Sequence, residues 1–202
     1  MTYDGDMKTE IEVKFLDVDF GELRQRLVSL GAVCEQPMRL MRRAVIQNET
    51  TGSDAYIRVR DEGDKVTLTY KSFESLSLHG ASEIETTVGD FDSAVEILSR
   101  GGMKAGSYQE SRRETWKLGE AEVVLDEWPW LKPYIEIEGE SEEIVRGAAS
   151  KLGFDWEAQA VFGDIMVAYR AEYPHLTAND TVGNLESVRF DDPLLPMFTQ
   201  SI

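Results

Sequence analysis

The tripeptide Glu-Ile-Glu occurs three times in this chain, at 10–12, 83–85 and 136–138. Side chains two apart on a β-strand share a face, so each copy sends two carboxylates one way and an isoleucine the other. Neighbouring runs keep the same phase. Lys14 continues the first pair, Arg58 and Arg60 alternate, Lys71 follows Thr67 and Thr69, and Asp126 follows Glu122 and Val124. The opposite phase is apolar: Ile11, Val13 and Phe15; Ile57 and Val59; Val66, Leu68 and Tyr70; Val123 and Leu125; Ile135 and Ile137. Any sheet made of these runs has one oily face and one face carrying charge of both signs.

Each Glu-Ile-Glu run is followed by a helix signal. Asp19 caps the first helix with Glu22 completing a capping box, Phe20, Leu23, Leu27 and Leu30 recur at helical spacing, and Gly31 supplies the stop. Asp90 or Asp92 opens the second, with Ala94, Val95 and Leu98 before Gly101; Ser141 opens the third, with Ile144, Ala148 and Leu152 before Gly153. Gly31 to Arg43 and Gly101 to Arg113 span equal distances, and each ends in an Arg-Arg pair, which suggests a two-fold quasi-repeat with a partial third copy. Strand patterns fall at 8–16, 40–48, 56–61, 65–72, 83–88, 109–117, 120–127 and 134–139. A last helix is expected within 156–173, using Ile165, Met166 and Tyr169. The chain therefore divides into a domain at 1–173 and a tail at 174–202 that reads as a disordered end, a lid or a strap for a partner.

With 202 residues and 42% hydrophobic content, the chain is long enough for one domain with a substantial core. No apolar run approaches the roughly 20 residues of a membrane span, and the N-terminus lacks the order of a secretory signal, so a soluble cytoplasmic protein is expected. A net charge of −17 opposes broad binding to nucleic acid or anionic membrane, but it is compatible with a homodimer. Cys34 is the only cysteine, ruling out an internal disulfide, and is read as a small buried apolar residue. His79 and His175 stand in loop-like text with no partner at ligand or triad spacing and are read as surface residues.

Helices need an apolar face to dock on. If they cover the oily side from outside, the charged side closes on itself. The fold expected is thus α+β, an eight-stranded antiparallel closed β-barrel with a charged interior, flanked by helices. Carboxylates packed together require positive compensation. Lys14, Arg58, Arg60, Lys71 and Arg113 supply part of it, and a hard divalent cation, Mg2+ or Mn2+, supplies the rest. Because arginine and lysine also bind phosphate oxygens, the combination points to a metal and polyphosphate site.

The order Glu10-Ile-Glu12-Val-Lys14, Ile57-Arg58-Val59-Arg60, Leu68-Thr69-Tyr70-Lys71, Glu83-Ile84-Glu85, Arg113 before Trp116, Leu125-Asp126 and Glu136-Ile137-Glu138 resembles the CYTH superfamily. These are the triphosphate tunnel metalloenzymes, which include class IV adenylyl cyclases and thiamine triphosphatases. The resemblance runs from residue 7 to residue 173. It implies an eight-stranded tunnel that grips triphosphate through Lys14, Arg58, Arg60, Lys71 and Arg113, with Arg43 (or its neighbour Arg42) added. It further implies a metal held from the set Glu10, Glu12, Glu85, Asp126, Glu136 and Glu138, with Glu10, Glu12 and Lys14 as the catalytic candidates. Ser111 departs from the lysine often found at its place, and Lys132-Pro133 replaces a glycine-type turn.

The activity expected is metal-dependent hydrolysis of a triphosphate-bearing small molecule. Class IV adenylyl cyclase chemistry is the enzymatic alternative, and a nonenzymatic polyphosphate- or nucleotide-binding module is the alternative of another class. Trp116, Trp128 and Trp130 are weighed as base-stacking residues against plain packing roles.

Overall fold

Alternation of charged and apolar residues builds the sheet. In a computed structural model describing residues 8–46, 55–73 and 81–199, nine strands form one antiparallel path in the order β1 (Lys8–Glu10), β6 (Ala81–Val88), β5 (Val66–Phe73), β4 (Ala55–Asp61), β3 (Val33–Ile46), β7 (Ser107–Leu118), β8 (Ala121–Glu127), β9 (Tyr134–Glu138) and β2 (Glu12–Leu16). A tenth, β10 (Ser187–Val188), adds to β7 in parallel. Because β1 and β2 are two runs of one segment, the eight strand patterns of the sequence are all present. His79 and the end of the second strand pattern lie outside the described residues.

The closed barrel is corrected to an open, curled half-barrel. The path starts on the three-residue β1 and ends on β2, the segment breaks at Ile11, and the free edge of β2 is bonded elsewhere. There Lys14 N donates to Val161 O at 2.9 Å and Val161 N to Lys14 O at 3.0 Å. The chain after the third helix thus occupies the edge that β6 would need.

Helices cover the convex, apolar face. Helix α1 (Phe20–Ser29) begins where the Asp19 carboxylate accepts from Glu22 N at 2.9 Å. Its buried Phe20, Leu23 and Leu27 join Val13 and Phe15 of β2, Ile135 and Ile137 of β9, Val145 and Ala148 of α3 (Glu142–Lys151), and Leu152, which caps the end of α3. Helix α2 (Phe91–Arg100), capped by Asp90, packs Phe91 and Ala94 on Ala44, Ile46 and Val59. Leu27, Ile135 and Ile137 expose nothing to solvent, and burial of each such side chain contributes about 2 kcal/mol. This apolar layer holds the sheet so that its other face curls inward.

The last helical pattern is split into α4 (Trp156–Gln159) and α5 (Met166–Glu172) around the Val161 bridge. Beyond it, Leu176, Val182, Val188 and Phe198 form a second core with Met166 and Tyr169. Cys34, expected to be buried, is exposed. It lies at the start of β3 where pairing with β7 shifts register, ahead of the helix-covered stretch. His175 is exposed, with Nε2 2.9 Å from Met197 O. Among the described residues no helix is long and apolar enough to cross a membrane.

Candidate active site

The concave face encloses a cavity of about 510 Å³. Strand phase alone delivers its walls: Glu12 and Lys14 from β2, Arg43 from β3, Arg58 and Arg60 from β4, Lys71 from β5, Glu85 from β6, Arg113 from β7, and Glu136 and Glu138 from β9. Every binding and metal candidate of the sequence except Glu10, Asp126 and Arg42 therefore meets in one space. Glu10 pairs through its backbone with Ala81 on β6, and its side chain lies outside the described residues. Asp126 is fully buried behind Arg113.

Of the two candidate arginines, Arg43 faces the cavity and Arg42 faces outward, where it pairs with Asp61 at 3.0 Å and lies over the Phe91 ring. The quasi-repeat explains the counterpart on β7: Arg113 turns inward, whereas Arg112 turns outward onto Glu127 and Phe190. The two Arg-Arg strands are neighbours, with Arg39 opposite Arg113 and Arg43 opposite Gln109.

Ion pairs hold the charges in a network. Lys14 Nζ lies 3.1 Å from Glu12 and 3.2 Å from Glu136. Burial alone would lower the Lys14 pKa, but Glu136 and Glu12 outweigh it and raise it above the usual lysine range. Burial likewise works against ionised Glu136, yet Lys14, Arg113 and Lys71 hold its carboxyl well below the usual range. Arg113 donates from Nε to Asp126 at 2.8 Å and from a terminal nitrogen to Glu136 at 2.8 Å. Glu85 accepts from Thr69 at 2.8 Å and lies 3.6 Å from Arg58.

Positive charge is in local excess deeper in the cavity. Arg43 is 8% exposed, donates to Ser111 Oγ at 2.7 Å and stacks 4.4 Å over the Trp128 ring. Burial first, and then Arg58, Arg60 and Arg113, push its pKa down to about 9, while burial with Arg58 and Arg113 pushes Arg60 to about 10. The Nε atoms of Arg43 and Arg58 are buried with no hydrogen-bond partner among the described residues. Buried donors left unsatisfied are costly, and an anion in the cavity would satisfy them.

Carboxylates gather at one mouth. Glu12 stands opposite Glu138 in the β2–β9 register, and Glu138 opposite Glu122 in the β8–β9 register. All three line the cavity, and oxygen donors of this kind suit a hard divalent cation. Among the described residues, no group of three His, Cys, Asp or Glu side chains converges as a finished metal cage. Glu85, Asp126 and Glu136 are engaged by Thr69, Arg58, Arg113 and Lys14, and Glu12 by Lys14, so a cation at the Glu12, Glu122 and Glu138 row would share Glu12 with the Lys14 ammonium.

The fold, the convergence of these side chains and the sequence order all bear on kinship. A family model of the CYTH domain matches residues 8–156. The chain belongs to the CYTH domain family. Among solved structures, the CYTH chain is similar to the PH1012 protein of Pyrococcus horikoshii OT3, at 24% identity over 79% of this chain and 98% of that one, with a TM-score of 0.67. A candidate adenylate cyclase from Vibrio parahaemolyticus matches at 12% identity over 81% of this chain and 99% of that one, TM-score 0.66. A candidate adenylyl cyclase from Hippeastrum, described as having a dominant triphosphatase activity, matches at 16% identity over 84% and 98%, TM-score 0.51. At these identities the likeness is one of fold. No curated protein matches the chain.

Some lining residues escaped the sequence reading. Glu62 continues the phase of Arg58 and Arg60 and pairs with both Arg60 and Arg39, so its signal was available. Gln109 and Thr115 share the phase of Arg113 but carry no charge to mark them. Tyr134 and the tail residues Thr181, Val182 and Gly183 also line the space, and nothing in their local sequence places them there, whereas Trp128, weighed above for base stacking, lines it too. Trp128 serves as the bed for Arg43. Trp116 is buried in the apolar core with its indole N–H donating to Glu114 at 2.6 Å, and Trp130 packs on Phe198.

Proposed function

We propose that this CYTH chain is a divalent-cation-dependent hydrolase of a triphosphate. The observation that carries the reading is a buried guanidinium cluster, in which the Nε atoms of Arg43 and Arg58 find no acceptor among the described residues, sharing one cavity with a row of glutamates. Charge-assisted forks from Arg43, Arg58, Arg60 and Arg113, with the Lys71 ammonium, fix phosphoryl oxygens and stabilise the charge that shifts toward the leaving phosphate. Lys14 holds Glu12 and Glu136 in place while neutralising them. Mg2+ or Mn2+ held by Glu12, Glu122 and Glu138, with Glu10 beside Glu12 in sequence, would supply charge neutralisation on the phosphate chain. Water oriented by Glu12 attacks the terminal phosphorus: a new O–P bond forms, the phosphoanhydride O–P bond breaks, the remaining phosphate chain leaves with the bond's electron pair, and the water's second proton passes to the phosphate products. The cited Hippeastrum protein is a structural neighbour whose described activity agrees with this reading.

The three tryptophans are engaged by Arg43, the apolar core and Phe198, so a base-stacking role for them gains no support. Hydrolysis is therefore preferred to cyclisation of ATP. The test supplies inorganic tripolyphosphate or ATP with Mg2+ or Mn2+ and follows orthophosphate, pyrophosphate and cyclic AMP. Cation-dependent orthophosphate release, lowered at least a hundredfold by Glu12→Gln, is expected. Cyclic AMP with pyrophosphate would replace the reading by a cyclase, and tight binding without turnover would replace it by a binding module.

A further inference from the structure

The tail does more than pack on the sheet. At the end of the cavity opposite the glutamate row, Thr181, Val182 and Gly183 form part of its lining. Val182 is 1% exposed, and its carbonyl accepts from Ser107 Oγ at 3.2 Å and from Gln109 Nε2 at 3.4 Å. Both donors are buried on the inward phase of β7. The segment is held there by the parallel β10–β7 ladder, by Tyr108 N donating to Glu186 O at 2.9 Å, and by the second apolar core. The family match ends at residue 156, so this wall is an addition to the part of the chain that defines the family.

The wall abuts the cation cluster. Gln109, which bonds the strap, is the register partner of Arg43, and Arg43 is pinned between Ser111 and the Trp128 ring. A phosphate bound by Arg43 therefore lies beside the strap, near the start of β7, while the Glu12, Glu122 and Glu138 row stands toward the other end of that strand, where Glu122 pairs with Lys117.

We propose that the C-terminal strap makes the cavity single-ended, so that it accepts the free terminal phosphate of a chain and rejects a triphosphate substituted at both ends. The proposal rests on the phosphate reading of the site for its choice of ligand, but the strap itself is tested without any ligand.

Two measurements decide it. The full chain is offered tripolyphosphate, a nucleoside triphosphate and a dinucleoside triphosphate with Mg2+ or Mn2+. Turnover of the last at least a hundredfold below tripolyphosphate is expected, and a rate within tenfold of it would overturn the proposal. Separately, Ser107→Cys is placed beneath Val182 in a Cys34→Ser background, and its labelling by a thiol reagent is compared with and without Val188→Pro, which breaks the β10 ladder. Labelling at least tenfold faster with the broken ladder is expected. Equally fast labelling with the ladder intact would overturn the wall even if no triphosphate is bound, whereas slow labelling together with no action on any phosphate would overturn the hydrolase reading alone. Circular dichroism confirms that the sheet survives each substitution, and Val188→Ala serves as a milder opening should the proline prevent folding.

Discussion

Lys14 and Glu136 face each other across the β2–β9 register, with Nζ 3.2 Å from a carboxylate oxygen and the lysine 3% exposed. Glu12 completes a triad around the same ammonium. A charge this buried is tolerated only because its partners remain charged.

Lys14→Met is expected to lower stability by about 3 kcal/mol, because two carboxylates lose their shared counter-charge inside the cavity. Urea denaturation gives the value. Added Mg2+ should recover more stability in the variant than in the parent, since it can replace the missing positive charge.

Arg43→Lys keeps a positive charge but loses the fork that reaches Ser111 and the planar stack on Trp128. KM for tripolyphosphate should rise roughly tenfold, corresponding to about 1.4 kcal/mol of binding. Arg42→Lys, on the outer face, should leave KM within about twofold of the parent, as expected for a substitution away from the site. Steady-state phosphate release separates the two.

Asp126→Asn weakens the anchor of Arg113 without changing volume. Arg113 retains Glu136, but its Nε loses a charged acceptor at 2.8 Å, at a cost of about 2 kcal/mol in stability. Thermal unfolding should report the loss, and KM should rise because the guanidinium is no longer fixed.

Glu114 tests pH dependence away from the cavity. Burial would raise its carboxyl, but hydrogen bonds from Arg24 and from the Trp116 indole hold it below the usual range. A carboxyl depressed on folding contributes stability above its unfolded pKa of about 4.3 and loses it as pH falls through the folded value. Arg24 is 40% exposed, so the pair is discounted for solvent, and Glu114→Gln should cost only about 1 kcal/mol at pH 7. The two stability curves should converge as pH drops below about 4.

Much of the cavity wall was legible because strand period fixes facing. Once Glu12, Lys14, Arg58, Arg60, Lys71, Glu136 and Glu138 are placed on strands, their phase sends them to one side whatever the neighbouring strand is. The same rule separated Arg42 from Arg43 only after the register of β3 was known, since adjacent residues differ by a face and the sequence left that phase open. The burial of Cys34 was misjudged because composition speaks to residue type, while exposure depends on where helix cover begins.

By itself the sequence determined the two-faced strands, the three capped helices and the charge that one face must carry, because these follow from local periodicity and capping chemistry. Tertiary structure alone decided that Val161 would take the free edge of β2, that Trp128 would bed Arg43, and that Val182 would stand at the end of the cavity. Each of these joins segments distant in sequence through backbone bonds or shape, and such pairings leave no period in the chain from which they could be read.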